Sequence, residues 1–213
     1  MKIYRLPLGI LSANCYVIES EKGNAAAVDI GGEYLKLKRF LQEHSLTLKK
    51  ILLTHGHYDH MGGTALAASD TGAQVYIHEN DAKMLTNRQA SLAEAISGGA
   101  FDPVNDFTVI SDGSVISLDE LNFEVIHTPG HTKGSVCYKC GSNIFSGDTL
   151  FRMSIGRTDF PGGSMAEMLT SIKKLSELSG SFNVHPGHNE ETTLDFERKN
   201  NPYMNGNLYE DFI

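Results

Sequence analysis

The sequence predicts a mixed α/β fold in one domain spanning residues 1–213, and three observations predict it. Short apolar runs alternate with segments of helical periodicity through the first half of the chain. A denser series of strand-like runs follows. Several of these runs end in a Gly-containing turn that carries His or Asp. A chain of 213 residues suits one domain and buries about 70% of its unfolded surface. No linker or low-complexity segment divides it.

Taken in order, Ile3–Leu8, Cys15–Glu19 and Ala25–Ile30 read as strands, and Asp29-Ile30-Gly31-Gly32 closes the third. Glu33–Glu43 reads as a helix with Leu35, Leu37, Phe40 and Leu41 inward. The run Lys49-Lys50-Ile51-Leu52-Leu53 is a short buried strand, and Met61–Ser69 looks helical. Gln74–Ile77 is the next strand, and a helix is expected to start near Asn80-Asp81. Thr86–Phe107 has weak periodicity and contains Gly98-Gly99, so it is a candidate flap with a helical middle. Val115–Ile116, Asn122–Ile126, Val136–Cys140 and Asn143–Ser146 form a later sheet. Ser164–Leu178 is an amphipathic helix, with Ser164 as its N-cap and Gly180 beyond its end.

The chemistry concentrates at strand ends. Thr54-His55-Gly56-His57-Tyr58-Asp59-His60 places four potential metal ligands at the mouth of a strand. In an extended segment His55 and His57 point the same way, because side chains alternate with period two. Asp59 and His60 fall where the chain turns helical, so they leave in another direction, which suits two adjacent ions. The missing ligands come later, as His131 after Thr128-Pro129-Gly130, Asp148 after Ser146-Gly147, and His188 after Pro186-Gly187. Pro fixes φ and Gly tolerates unusual backbone angles, so such turns hold a side chain firmly at a strand end. Packing so many charged and imidazole groups at one sheet edge is costly unless they are paired or metallated.

These motifs (His-Gly-His-Tyr-Asp-His at 55–60, Thr-Pro-Gly-His at 128–131, Gly-Asp-Thr-Leu-Phe at 147–151, Pro-Gly-His at 186–188) resemble the metallo-β-lactamase superfamily. The longer strings GDTLFRMSIGRTDFPGG and HPGHNEETT look most like its hydroxyacylglutathione hydrolase (glyoxalase II)-like branch, in compact form. The resemblance covers nearly the whole chain and implies an αββα four-layer sandwich with metals at one edge. It assigns His55, His57 and His131 to one metal and Asp59, His60 and His188 to a second, with Asp148 bridging both.

What the resemblance implies is a thioester hydrolase, with S-lactoylglutathione or a related acyl-glutathione as substrate. Imidazole and carboxylate ligands suit two divalent ions, zinc first, with iron or manganese also fitting. Asp59 would orient the attacking hydroxide and accept its proton. A thiolate leaves without a dedicated acid, since thiol pKa is only about 8.5. The glutathione-binding features of the full-length enzymes are altered. Arg157 falls near their Lys, Asp159 and Glu190 fall where Tyr is expected, and the chain ends at Ile213 before their C-terminal extension. Arg152 and Arg157 are therefore the candidate substrate-carboxylate contacts, because guanidinium pairs with carboxylate in a two-point fork; an ion pair of Arg157 with Asp159 is the plain alternative. Other chemistries of the same fold are a mononuclear iron persulfide dioxygenase drawing on His55, His131 and Asp148, and lactone or β-lactam hydrolysis.

Composition limits the partners. A net charge of −8 argues against a nucleic-acid surface, which needs clustered Lys and Arg. No apolar run approaches the roughly 20 residues of a membrane span. Pro7 and Gly9 interrupt the N-terminal apolar stretch, so a cytoplasmic protein is expected. Its partner is a small molecule, and the sequence sets no oligomeric state. Three cysteines do not build a disulfide framework. Cys137-Tyr138-Lys139-Cys140 spells C-x-x-C but lies on one strand of a hairpin around Gly141-Ser142, where residues three apart face opposite sides. His44 fits a helix C-terminus. His78, His127 and His185 end strands and are expected to be structural, and Asp29 is expected to support a ligand.

Overall fold

A computed structural model describes residues 1–205, and it arranges them as two six-stranded sheets. The first contains β1 (Lys2–Leu8), β2 (Ala13–Glu19), β3 (Asn24–Val28), β4 (Thr47–Leu52), β5 (Gln74–His78) and β6 (Thr108–Ile110), in that spatial order. β1 to β3 run antiparallel and β3 to β6 parallel. Parallel neighbours need crossovers. α1 (Tyr34–Glu43) serves β3 and β4, and α2 (Tyr58–Met61) with α3 (Thr64–Thr71) serves β4 and β5. Between β5 and β6 lie a 3₁₀ turn, Ala82–Thr86, and α4 (Ala93–Ser97).

The second sheet contains β7 (Val115–Leu118), β8 (Leu121–His127), β9 (Val136–Cys140) and β10 (Asn143–Gly147), a meander of antiparallel neighbours. A two-stranded ribbon, β11 (Leu150–Phe151) and β12 (Ser154–Ile155), leads to α5 (Met165–Ser176). β13 (Asn183–Pro186) returns parallel to β10, followed by β14 (Thr192–Thr193) and α6 (Leu194–Asn200).

Three apolar layers separate four structural ones. Tyr16, Ile18, Ala26 and Val28 of the first sheet meet Phe123, Val125, Tyr138 and Phe145 of the second. Alternate residues Cys15, Val17, Ala25 and Ala27 point the other way, onto Leu37, Leu41 and Ala67 of α1 and α3. On the far side, Ile126, Cys137, Ile144 and Val184 pack on Met168, Ile172, Leu175 and Leu194 of α5 and α6. The period-two alternation thus buries both faces of each sheet, and the expected αββα sandwich is the result. No described helix is long and apolar enough to cross a membrane.

Several local expectations hold. The Ser164 hydroxyl accepts from the Glu167 backbone N–H at 3.3 Å and caps α5. The β9–β10 hairpin forms as read. Cys137 faces the α5 layer and Cys140 the inter-sheet layer, so the C-x-x-C spacing pairs nothing. His44 caps α1, with Nδ1 placed 2.9 Å from the Phe40 carbonyl.

Others are corrected. Leu35 is 76% exposed, because Tyr34, Leu37 and Leu41 supply the buried stripe of α1 instead. The expected helix at Asn80-Asp81 is the 3₁₀ turn, and the expected helical run 61–69 is two pieces broken at Gly62-Gly63. β6 and α6 were not expected. Within the candidate flap, α4 is the helical middle, and Val104 is buried and donates its N–H to the Leu85 carbonyl at 2.9 Å.

Candidate metal centre

Beyond Leu52 the chain leaves β4 at the sheet edge and turns at His57, whose φ of −70° and ψ of 147° are still extended. His55 and His57 thus leave from backbone, while Asp59 and His60 leave from the single turn of α2. His131 follows β8, Asp148 follows β10, and His188 follows β13. Strand ends of both sheets therefore converge on one place, and every residue of the expected ligand set is there.

The facing atoms fall into three overlapping groups. They are His55, His57 and His131; His55, His60 and Asp148; and Asp59, His60 and His188, each with its atoms within 4.8 Å of one another. His57 Nδ1 lies 2.9 Å from His131 Nε2, and His188 Nε2 lies 3.2 Å from both His60 Nε2 and Asp59 Oδ2. Asp148 sits between the sets. Its Oδ1 is 3.4 Å from His60 Nε2, and its Oδ2 is 3.6 Å from His131 Nε2 and 3.8 Å from His188 Nε2. The close approach needs Gly187, where a Cβ would stand 2.6 Å from His60 Cε1.

Outer contacts fix which nitrogen faces inward. His131 Nδ1–H donates to the Arg157 carbonyl at 2.8 Å, and His60 Nδ1–H donates to Asp29 Oδ2 at 2.9 Å. The Thr54 hydroxyl donates to Asp29 Oδ2 at 2.7 Å, so its oxygen accepts from His55 Nδ1–H at 3.1 Å. Each ring thereby turns Nε2 inward, where it is a bare acceptor whenever the ring is neutral. Acceptors facing acceptors repel unless a cation lies between them. His55 Nε2 and Asp148 Oδ1 are buried without any hydrogen-bond partner, an arrangement that a divalent ion satisfies. The residues present fit a metal.

Electrostatics point the same way. Burial, then the neighbouring imidazoles, push His55 well below its usual pKa. Burial and His131 push His57 down to about 3. Burial alone would raise Asp59, yet His60 and His188 hold its carboxyl below the usual range. Burial likewise opposes charge on His60, but Asp148, Asp59 and Asp29 raise it to about 10. Three carboxylates around one imidazole call for a positive charge at that spot.

A cavity of about 250 Å³ opens over the cluster. His57, Asp59, His131, Asp148 and His188 form its polar side, and Leu11, Leu92, Ala95, Ile96 and Phe160 its apolar side. The candidate flap supplies three of these apolar residues, tied down where Tyr58 N–H donates to the Ser91 carbonyl at 2.8 Å.

The two arginines separate. Arg157 lines the cavity, but both arms of its fork lie on Asp159 at 2.7 and 2.6 Å, and it stacks over Phe160 at 4.1 Å. Arg152 does not reach the cavity. It pairs with Glu190 at 2.6 Å and lies over Phe196, beside a different depression, which removes it from the expected substrate contacts. His78 and His127 stack on each other at 4.0 Å, away from the cluster. Asp29 supports His60 and Thr54 as expected. Sequence reasoning missed Asp81, a buried carboxylate that bonds to both histidine-bearing loops; its place just beyond a strand end was the available signal.

Comparison with known proteins agrees with this geometry. The family model described as metallo-beta-lactamase superfamily matches residues 8–195. A Haemophilus influenzae relative called hydroxyacylglutathione hydrolase GloC is 35% identical over 211 residues, covering 96% of this chain and 99% of its own. The crystal structure of BLEG-1 B3 metallo-beta-lactamase superposes with a TM-score of 0.90 at 32% identity, over 95% of this chain and 99% of that one. TTHA1623 in a di-iron-bound form gives 0.84 at 36% identity, over 94% and 99%.

Proposed function

Because the chain belongs to the metallo-beta-lactamase superfamily, we propose that it is a dinuclear metal-dependent hydrolase of thioesters, acting on S-lactoylglutathione or a related acyl-glutathione. The observation that carries the reading is the complete second ligand set. Asp59, His60 and His188 stand beside His55, His57 and His131, with Asp148 between them. A one-iron persulfide oxygenase would draw on His55, His131 and Asp148 and leave the second set without a role. The GloC relative supports the acyl-glutathione class. The di-iron relative keeps iron beside zinc as the metal.

When bound, the ions lower the pKa of a coordinated water toward about 7 and stabilise charge developing on a carbonyl oxygen. The protein does the rest. Asp59, whose Oδ2 faces His188 Nε2 at 3.2 Å at the cavity wall, orients the attacking water and accepts its proton. Asp29 and the Arg157 carbonyl fix His60 and His131 in the ligating tautomer. Leu92, Ile96 and Phe160 exclude water and receive the less polar part of the acyl group. The leaving thiolate needs no acid. The unpaired, buried thiols of Cys15, Cys137 and Cys140 fit a reducing, cytoplasmic setting.

The test is kcat/KM for S-lactoylglutathione on zinc-loaded protein. A value of roughly 10⁴–10⁸ M⁻¹s⁻¹, abolished by Asp59→Ala, is the expected result. A far lower value with both ions bound would move the substrate elsewhere. The likeness to BLEG-1 puts β-lactams next in the panel.

A further inference from the structure

Asp81 follows β5 in the first sheet, is 1% exposed, and forms no part of the ligand cluster. Its Oδ2 accepts from the Gly56 N–H at 3.1 Å and from the Thr132 hydroxyl at 2.6 Å. Its Oδ1 accepts from the Gly134 N–H at 2.8 Å. Gly56 lies between His55 and His57, and Thr132 follows His131. One carboxylate thus joins the loop beyond β4 to the loop beyond β8, across the two sheets. The packing is as tight as the bonding, since a Cβ on Gly134 would stand 2.6 Å from Asp81 Cγ.

We propose that Asp81 is a positioning residue for the His55, His57 and His131 set, fastening its two loops to each other and so setting the spacing of the three imidazoles. The inference rests on the two-site reading above. Its selectivity follows from the bonding. Asp81 ties the residues flanking His57 and His131, whereas His60 in the other set is held by Asp29. Only a carboxylate serves here, because all three partners are donors. An Asn of the same shape turns its NH₂ toward at least one of them, whichever way it is flipped.

The experiment measures Zn²⁺ affinity by chelator competition in two backgrounds. His188→Ala leaves the His55, His57 and His131 set, and His131→Ala leaves the Asp59, His60 and His188 set. Asp81→Asn is expected to weaken Zn²⁺ about 10- to 100-fold in the first background and less than about threefold in the second. Equal weakening in both would make Asp81 a general structural residue and overturn the proposal, as would no weakening in the first. Should Asp81→Asn fail to fold by circular dichroism, Thr132→Val takes its place. A several-fold loss confined to the first background supports the proposal, and unchanged affinity overturns it. Wild-type protein retaining a single zinc would count against the two-site reading alone. A loss of about 10- to 100-fold in the His188→Ala background would still support the role of Asp81, and no loss there would still overturn it.

Discussion

His185 and His188 stand three residues apart on the same strand end, in one His-Pro-Gly-His turn, and do opposite things. Both ring nitrogens of His185 are occupied, Nδ1 by Glu191 at 2.6 Å and Nε2 by Asn143 Oδ1 at 3.0 Å, and the ring stacks on Phe145. His188 turns Nε2 toward His60 and Asp59, at 3.2 Å from each, and stays partly open to the cavity. Position at a strand end therefore does not make a ligand. What separates the two is the company each ring keeps, Glu191 and Asn143 for His185 and the converging His60 and Asp59 for His188, and the turn through Pro186 and Gly187 that sends the two rings to different sides.

The largest expected effect breaks the open side of that pair. His188→Ala should lower the zinc content from two per chain to one and reduce kcat/KM by at least about 100-fold, with little change in the stability of metal-free protein. Elemental analysis beside steady-state kinetics reads both. Retention of two ions at full activity would remove His188 from the site. His185→Ala should do the reverse. Both ions stay, but losing the buried ring, with its stacking on Phe145 and its bonds to Glu191 and Asn143, costs about 2 kcal/mol, roughly 30-fold in the folding equilibrium. Urea unfolding of the metal-free chain measures it.

This contrast also marks what could be read in advance. The mixed α/β class and the ligand-type residues at strand ends follow from short, local signals, strand runs that end in His-x-His or Pro-Gly-His. The four-layer sandwich and the gathering of seven of those residues at one centre came instead from the resemblance of their motifs to the metallo-β-lactamase superfamily. The opposite facing of Cys137 and Cys140 follows from strand geometry alone. What escaped reading depends on distant partners. Asp81 acts on backbone N–H groups 25 and 53 positions away, and nothing beside it in sequence names them. Tyr34 displaces Leu35 from the core because the helix phase, not hydrophobicity, decides which residue faces inward. β6 has three residues, two of them exposed, so it carries no alternation to detect. Arg152 reads like Arg157 in sequence, and only the position of Glu190 shows where it turns.

A smaller effect sharpens the comparison through pH. Burial lowers the pKa of His185 below its usual 6.5, outweighing the upward pull of Glu191. The folded state therefore keeps this ring neutral where the unfolded chain begins to protonate. Its contribution to stability is complete above pH 6.5 and is lost as pH falls through that value toward the depressed folded one. Metal-free wild-type protein should lose more stability between pH 7.5 and 5.5 than His185→Gln does. Parallel pH profiles would show that the ring is not held neutral.

The smallest expected effect concerns the arginines, which differ as the two histidines do. Arg152 is turned from the cavity onto Glu190 and Phe196, whereas Arg157 borders it, stacked on Phe160, with Asp159 on its fork. An exposed ion pair of this kind holds weakly, so a substrate carboxylate can compete for the guanidinium. Arg157→Ala should raise KM for S-lactoylglutathione several-fold with kcat nearly unchanged, the pattern of lost ground-state binding. Asp159→Asn should lower KM by freeing the fork, while Arg152→Ala changes neither constant. An unchanged KM in Arg157→Ala would leave the Arg157–Asp159 pair as a fastening of the loop whose Arg157 carbonyl holds His131, and its effect would then appear in zinc affinity rather than in substrate binding.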